Sequence, residues 1–66
     1  MNDDRTAPLR QALATVAEAA DYLNVSRSSV YLLMDRGELR FVKLGKCRRL
    51  PWSELERLVE KNLVGG

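Results

Sequence analysis

The sequence predicts a mainly α-helical domain with a small β-hairpin, laid out as a helix-turn-helix, a two-stranded wing and a C-terminal helix. Three features carry that prediction. Two short apolar stripes at helical spacing are separated only by the residues around Asn24, a basic ribbon turned at Gly45 follows them, and a third helical stripe begins after Pro51. Two capped stripes with so short a turn make a helix-turn-helix, and a β-prone run folded about a glycine makes a hairpin.

Residues 1–12 are expected to form a flexible N-terminal tail and residues 13–63 the domain itself. The tail is polar through Pro8, with Leu9 and Leu13 placed to pack on the domain edge. At residue 15 the pattern sharpens: Thr15 and Glu18 have the T-x-x-E spacing of a capping box, in which each side chain satisfies the other residue's free backbone N–H. Val16, Ala19, Ala20 and Leu23 then recur on one face, and the two alanines leave room for a second helix to cross closely. Asn24 tolerates a left-handed backbone, so it suits the end of this helix. Ser26 caps the next one, Val30, Leu33 and Met34 form its buried stripe, and Gly37 supplies its left-handed stop.

The run from Leu39 to Leu44 is β-prone, and Gly45-Lys46-Cys47 is expected to be a three-residue loop returning through Arg48, Arg49 and Leu50. That register pairs Leu44 with Arg48 and Val42 with Leu50, setting Val42, Leu44 and Leu50 on an inner face and Lys43 opposite Arg49 outside, with Phe41 beside Lys43. A two-residue loop would turn Arg49 inward beside Val42. Pro51 ends the strand. Ser53 and Glu56 repeat the capping-box spacing, and Leu55, Leu58, Val59 and Leu63 line one side of a third helix, with Trp52 as a staple at its start.

Composition narrows the chemistry. At 66 residues the chain holds one domain and a small core, and 45% apolar with 30% charged residues is globular rather than disordered. It has no histidine and one cysteine. A disulfide framework is excluded, no zinc site can be assembled from four Cys or His ligands, and nothing calls for a cofactor. No nucleophile–base pair, carboxylate constellation or phosphate loop is present, so an enzyme is not expected. The polar, acidic start lacks a signal-peptide layout and no apolar run approaches membrane-spanning length, so the expected location is the cytoplasm, with no membrane partner.

The net charge of +2 hides an asymmetry. Residues 26–50 carry seven basic side chains against two acidic ones, a net of +5, whereas residues 1–25 carry −2 and residues 51–66 carry −1. A basic third of a small domain is an electrostatic footprint for double-stranded DNA. The second helix leads with Ser26, Arg27, Ser28 and Ser29, which combine helix-end N–H groups, hydroxyls and a guanidinium suited to phosphate or base edges. With the apolar stripe inward, its outer side is Arg27, Ser28, Tyr31, Leu32 and Asp35, and Tyr31 is placed to donate its hydroxyl to a phosphate. In the wing, Lys43, Lys46, Arg48 and Arg49 supply the second contact. The bland readings are a serine cap, a core-edge tyrosine and a solvated basic face. The clustering of charge on one hairpin favours DNA.

At TVAEAADYLNVSRSSVY for the helix pair, RGELRFVKLGKCRRLP for the turn and wing, and SELERLV for the last helix, the chain resembles the excisionase family, or recombination directionality factors. These small proteins share a winged helix-turn-helix related to the DNA-binding domain of MerR regulators. The resemblance implies that Ser26 to Tyr31 match the family's major-groove helix and Lys46, Arg48 and Arg49 its wing. It also implies a tyrosine integrase as partner, cooperative binding to adjacent direct repeats in attachment-site DNA, self-association along it, and bending that favours excision. Leu32 and Asp35 stand where relatives often carry Arg, which points to weak single sites helped by multivalency. Two other readings are a small MerR-like transcriptional regulator and, of a different class, a protein-interaction module or anti-repressor.

Overall fold

The structure is a computed structural model that describes residues 12–65. The expected tail over 1–12 lies outside the described residues except for Ala12, and so does Leu9. In chain order the elements are β1 (Leu13–Ala14), α1 (Val16–Leu23), α2 (Arg27–Asp35), β2 (Val42–Leu44), β3 (Cys47–Pro51) and α3 (Trp52–Lys61). Three helices and one small antiparallel sheet make a winged helix-turn-helix. Among the described residues no helix is long and apolar enough to cross a membrane.

The helix pair forms where its caps put it. Glu18 N–H donates to the Thr15 hydroxyl at 3.0 Å and Thr15 N–H to the Glu18 carboxylate at 2.9 Å, which closes the capping box. Asn24 stands in the left-handed region at φ 58°, and Val25 N–H reaches the Ala20 carbonyl at 3.0 Å while Asn24 N–H reaches Asp21 at 3.2 Å. That is a Schellman closure, and α2 repeats it: Gly37 lies at φ 78°, Glu38 N–H donates to the Leu33 carbonyl and Gly37 N–H to Met34, both at 3.0 Å. A Cβ added at Gly37 would meet no heavy atom within 4 Å, so Gly37→Val isolates the backbone penalty. It is expected to cost about 1–2 kcal/mol. A thermal melt should then show a Tm lower by roughly 4–8 °C per kcal/mol, and an unchanged Tm would mean that the turn does not need this conformation.

Ala19 and Ala20 of α1 are buried, as their size allows, in one core cluster with Val30 and Met34 of α2. Leu39, Leu50, Leu55, Leu58 and Ala14 complete the core, while Val16, Leu23, Leu33, Phe41 and Trp52 pack around it half-buried.

Four sequence expectations need correction. First, the sheet has a third strand: β3 lies between β2 and β1, with Leu13 opposite Pro51 and Ala14 opposite Leu50. Two residues are too few to show an alternation, so β1 was invisible as a pattern. Second, the hairpin loop has two residues, because Leu44 pairs with Cys47, Lys43 with Arg48 and Val42 with Arg49. Gly45 at φ 62° takes the first central position, and such a turn matches the right-handed twist of its strands. Ladder partners share a face, so Val42 and Leu44 stand with Arg49 and Cys47, while Lys43 shares a face with Arg48 and the buried Leu50. The expected burden of an inward Arg49 does not arise. Its side of the ribbon is the outer one, and its Nη1 donates to the Arg48 carbonyl at 2.9 Å.

Third, α3 begins at Trp52 behind Pro51, which makes no side-chain cap bond, so Ser53 falls inside the first turn and its expected box with Glu56 does not form. Trp52 instead lies edge-on to Tyr22 of α1, ring centroids 5.7 Å apart, and fastens the helix start to α1. Fourth, Val59 is exposed and Leu63 lies beyond the helix end, so the apolar line of α3 is Leu55 and Leu58.

Candidate nucleic-acid interface

The leading end of α2 is built by Ser26. Its backbone is extended, its hydroxyl accepts from Ser29 N–H at 3.1 Å, and the Ser26 and Ser29 hydroxyls lie 3.0 Å apart. Two of the four predicted site residues at this end therefore hold the helix cap. Arg27 and Ser28 are exposed beside the open first turn, where unsatisfied N–H groups and the helix dipole attract anions. Tyr31, Leu32 and Asp35 continue the same exposed face, as the helical register predicts. Tyr31 is 44% and Leu32 52% exposed, so both are open to a partner on this face.

The wing stands beside that face. Lys46 is exposed in the two-residue turn, Lys43 is exposed one step back on β2, and Arg49 is half-buried opposite Val42. Arg48 behaves differently from its neighbours. Its guanidinium carbon is 4.8 Å from the Phe41 ring centroid and 5.4 Å from that of Tyr31, and its Nη1 lies 3.7 Å from an Asp35 carboxylate oxygen. The structure thus brings together Tyr31 of α2 and Arg48 of β3 from the predicted set, and it adds Phe41 and Asp35 as their partners. Arg27, Ser28, Lys43 and Lys46 make none of these contacts.

The base of the wing is held by α3. The Glu54 carboxylate is buried and accepts from Arg40 N–H at 3.1 Å, from the Arg40 guanidinium at 2.8 Å and from Arg57 at 3.0 Å. Arg57 also donates to the Glu38 carbonyl at 3.0 Å, so two side chains of α3 fix the segment that leads out of α2 into β2. Hydrogen bonds from Arg40 first, then Arg57, hold the Glu54 carboxyl down at about 2, against the opposing effect of burial. The Glu54 and Arg57 spacing of three on one helix is visible in sequence, but Arg40 lies fourteen residues earlier in the chain and has no local signal.

Comparison with known proteins agrees with this architecture. A protein of Saccharopolyspora erythraea named "Probable excisionase" is 37% identical over 46 residues, which cover 70% of this chain and 47% of that protein. The chain therefore spans about half the length of that relative. This likeness bears out the excisionase resemblance carried by the sequence. No solved structure matches the chain. A family model described as "Helix-turn-helix domain" matches residues 15–63, from the first capping residue to just beyond α3, and the chain belongs to that helix-turn-helix family.

Proposed function

We propose that this chain is a sequence-specific DNA-binding and DNA-bending accessory protein of the excisionase kind, which promotes integrase-mediated excision and acts by binding rather than by catalysis. The observation that supports it most is the pairing of an exposed helix end with a basic wing on one side of a domain similar to a protein named for excision. In this reading Ser26 and Ser29 shape the end of α2, while Arg27 and Ser28 enter the major groove. Tyr31 meets the backbone, and Lys43, Lys46 and Arg49 of the wing grip phosphates or the adjacent minor groove. Leu32 and Asp35 add little affinity per site. Cooperative self-association on direct repeats within attachment-site DNA, beside a tyrosine integrase, supplies the rest.

Adding the protein to an integrase reaction on attachment-site DNA should switch the direction to excision, and an unchanged direction would sink the excision role. Footprinting separates this from the regulator reading: several adjacent direct repeats inside an attachment site favour excision, and one promoter operator favours regulation. A finer test concerns Lys46 at the wing tip. Log K against log salt should fall with a slope of about −0.9 per phosphate contact, and Lys46→Ala is expected to flatten it by about one unit. Binding with no salt dependence would point to a protein partner instead.

A further inference from the structure

Arg48 sits among the wing's basic residues yet is held apart from them. Its side chain is 32% exposed, and its Nη1 is buried with no hydrogen-bond partner among the described residues. The aromatic rings of Phe41 and Tyr31 flank the guanidinium at 4.8 and 5.4 Å, and the Asp35 carboxylate lies 3.7 Å from Nη1. These partners come from three places: the entry to β2, the middle of α2 and its last residue. The stack therefore spans the gap between the helix and the wing. A side chain two-thirds buried, held against two rings and beside the exposed Asp35 carboxylate, has limited reach towards a phosphate.

We infer that Arg48 is a positioning residue for DNA binding, a strut that fixes the wing at a set angle to α2, and that Asp35 and Phe41 serve the same strut. The inference rests on the DNA-binding reading above. It accounts for two side chains whose roles the sequence alone does not explain. Phe41, expected on the outer face, packs at the core edge under Arg48, and Asp35, an acidic residue on a face meant for a polyanion, pairs with the guanidinium at 3.7 Å. A preset wing lowers the ordering cost of binding, so the basic tip meets DNA already aligned with the helix. Lysine is a weaker substitute in this role, because an ammonium lacks the broad planar face that can meet two rings at once, while it remains a sound point-charge phosphate contact.

The native exposed thiol of Cys47, next to Arg48 and on the other face of the ribbon, supplies the probe. A nitroxide label on Cys47 of the full chain reports wing motion in the free protein, and fluorescence anisotropy on mixed-sequence duplex DNA reports affinity and its salt slope. Thermal melts establish that each variant is folded. Arg48→Gln and Arg48→Lys are both expected to loosen the label and to weaken binding by roughly five- to tenfold with little change of slope. Asp35→Asn, which leaves the ring stack in place, is expected to loosen the label to a smaller degree. The inference is overturned if Arg48→Lys keeps wild-type affinity and a tight label, which shows that the wing needs no guanidinium here, or if Arg48→Gln flattens the slope by about 0.9 while the label stays immobile, which makes Arg48 a phosphate ligand. Failure of the wild-type chain to bind the duplex even at low salt overturns the DNA-binding reading instead.

Discussion

Leu39→Ala is expected to remove about 2–5 kcal/mol of stability, the usual cost of emptying a fully buried leucine site. Leu39 belongs to no helix or strand, yet it is completely buried, and its N–H is tied to the Leu33 carbonyl at 3.2 Å just past the Gly37 turn. Domains of this size hold only about 3–10 kcal/mol in total, so one truncation consumes a large part of the margin. At roughly 4–8 °C per kcal/mol, the Tm seen by circular dichroism should fall by at least about 8 °C. Leu33→Ala provides the contrast. Leu33 lies on the predicted stripe of α2 but is only half-buried, lining an open apolar hollow of about 260 Å³ with Leu23, Val25 and Leu58, and its truncation should cost about 1–2 kcal/mol. If the Leu33 variant is the less stable of the two, the core is centred on α2 rather than on the segment leading to the wing.

Glu54→Ala is the second large effect, because one carboxylate satisfies two arginines and a backbone N–H. Hydrogen bonds to a charged group contribute about 1.5–3 kcal/mol each, but the Arg40 side chain is 75% exposed and solvent screens its share. A net loss of about 1–3 kcal/mol follows. The pH dependence has a definite sign. The Glu54 carboxyl is lowered to about 2 in the fold from an ordinary value of 4.5, so its contribution is complete above the ordinary value and is lost as pH falls through the window between the two. Urea melts at neutral pH and near pH ~3 should therefore show a larger acid loss for the wild type than for Glu54→Gln, which has no carboxyl to titrate. Equal losses would mean that other carboxylates govern acid unfolding.

The helix pair was legible because its signals are local. The capping box of Thr15 and Glu18, the left-handed Asn24 and Gly37, and the stripe through Ala19, Ala20, Val30 and Met34 each lie within a turn or two of what they determine. The exposed face of α2 followed directly from that register. The wing was harder, since its register depends on whether the turn at Gly45 holds two residues or three, and both choices place apolar and basic residues plausibly. The strand β1, the Arg40–Glu54–Arg57 node and the Arg48 stack were not legible, because each is a meeting of distant segments with no periodicity to announce it. Within the candidate site, the exposure of Arg27, Ser28 and Tyr31 could thus be read from helical register, whereas the direction each wing side chain faces could not.

The brevity of the hairpin turn has a consequence for which side chains the wing presents together. β3 is anchored by β1 and by the buried Leu50, so inserting one residue between Gly45 and Cys47 would leave it in place and slide β2 by one step. Val42 would then stand opposite Leu50 and Lys43 opposite Arg49, taking Lys43 from the ribbon face that carries Arg48 to the one that carries Arg49, with no change in the count of basic residues. Turn length therefore decides which basic side chains share a face of the ribbon, at constant charge.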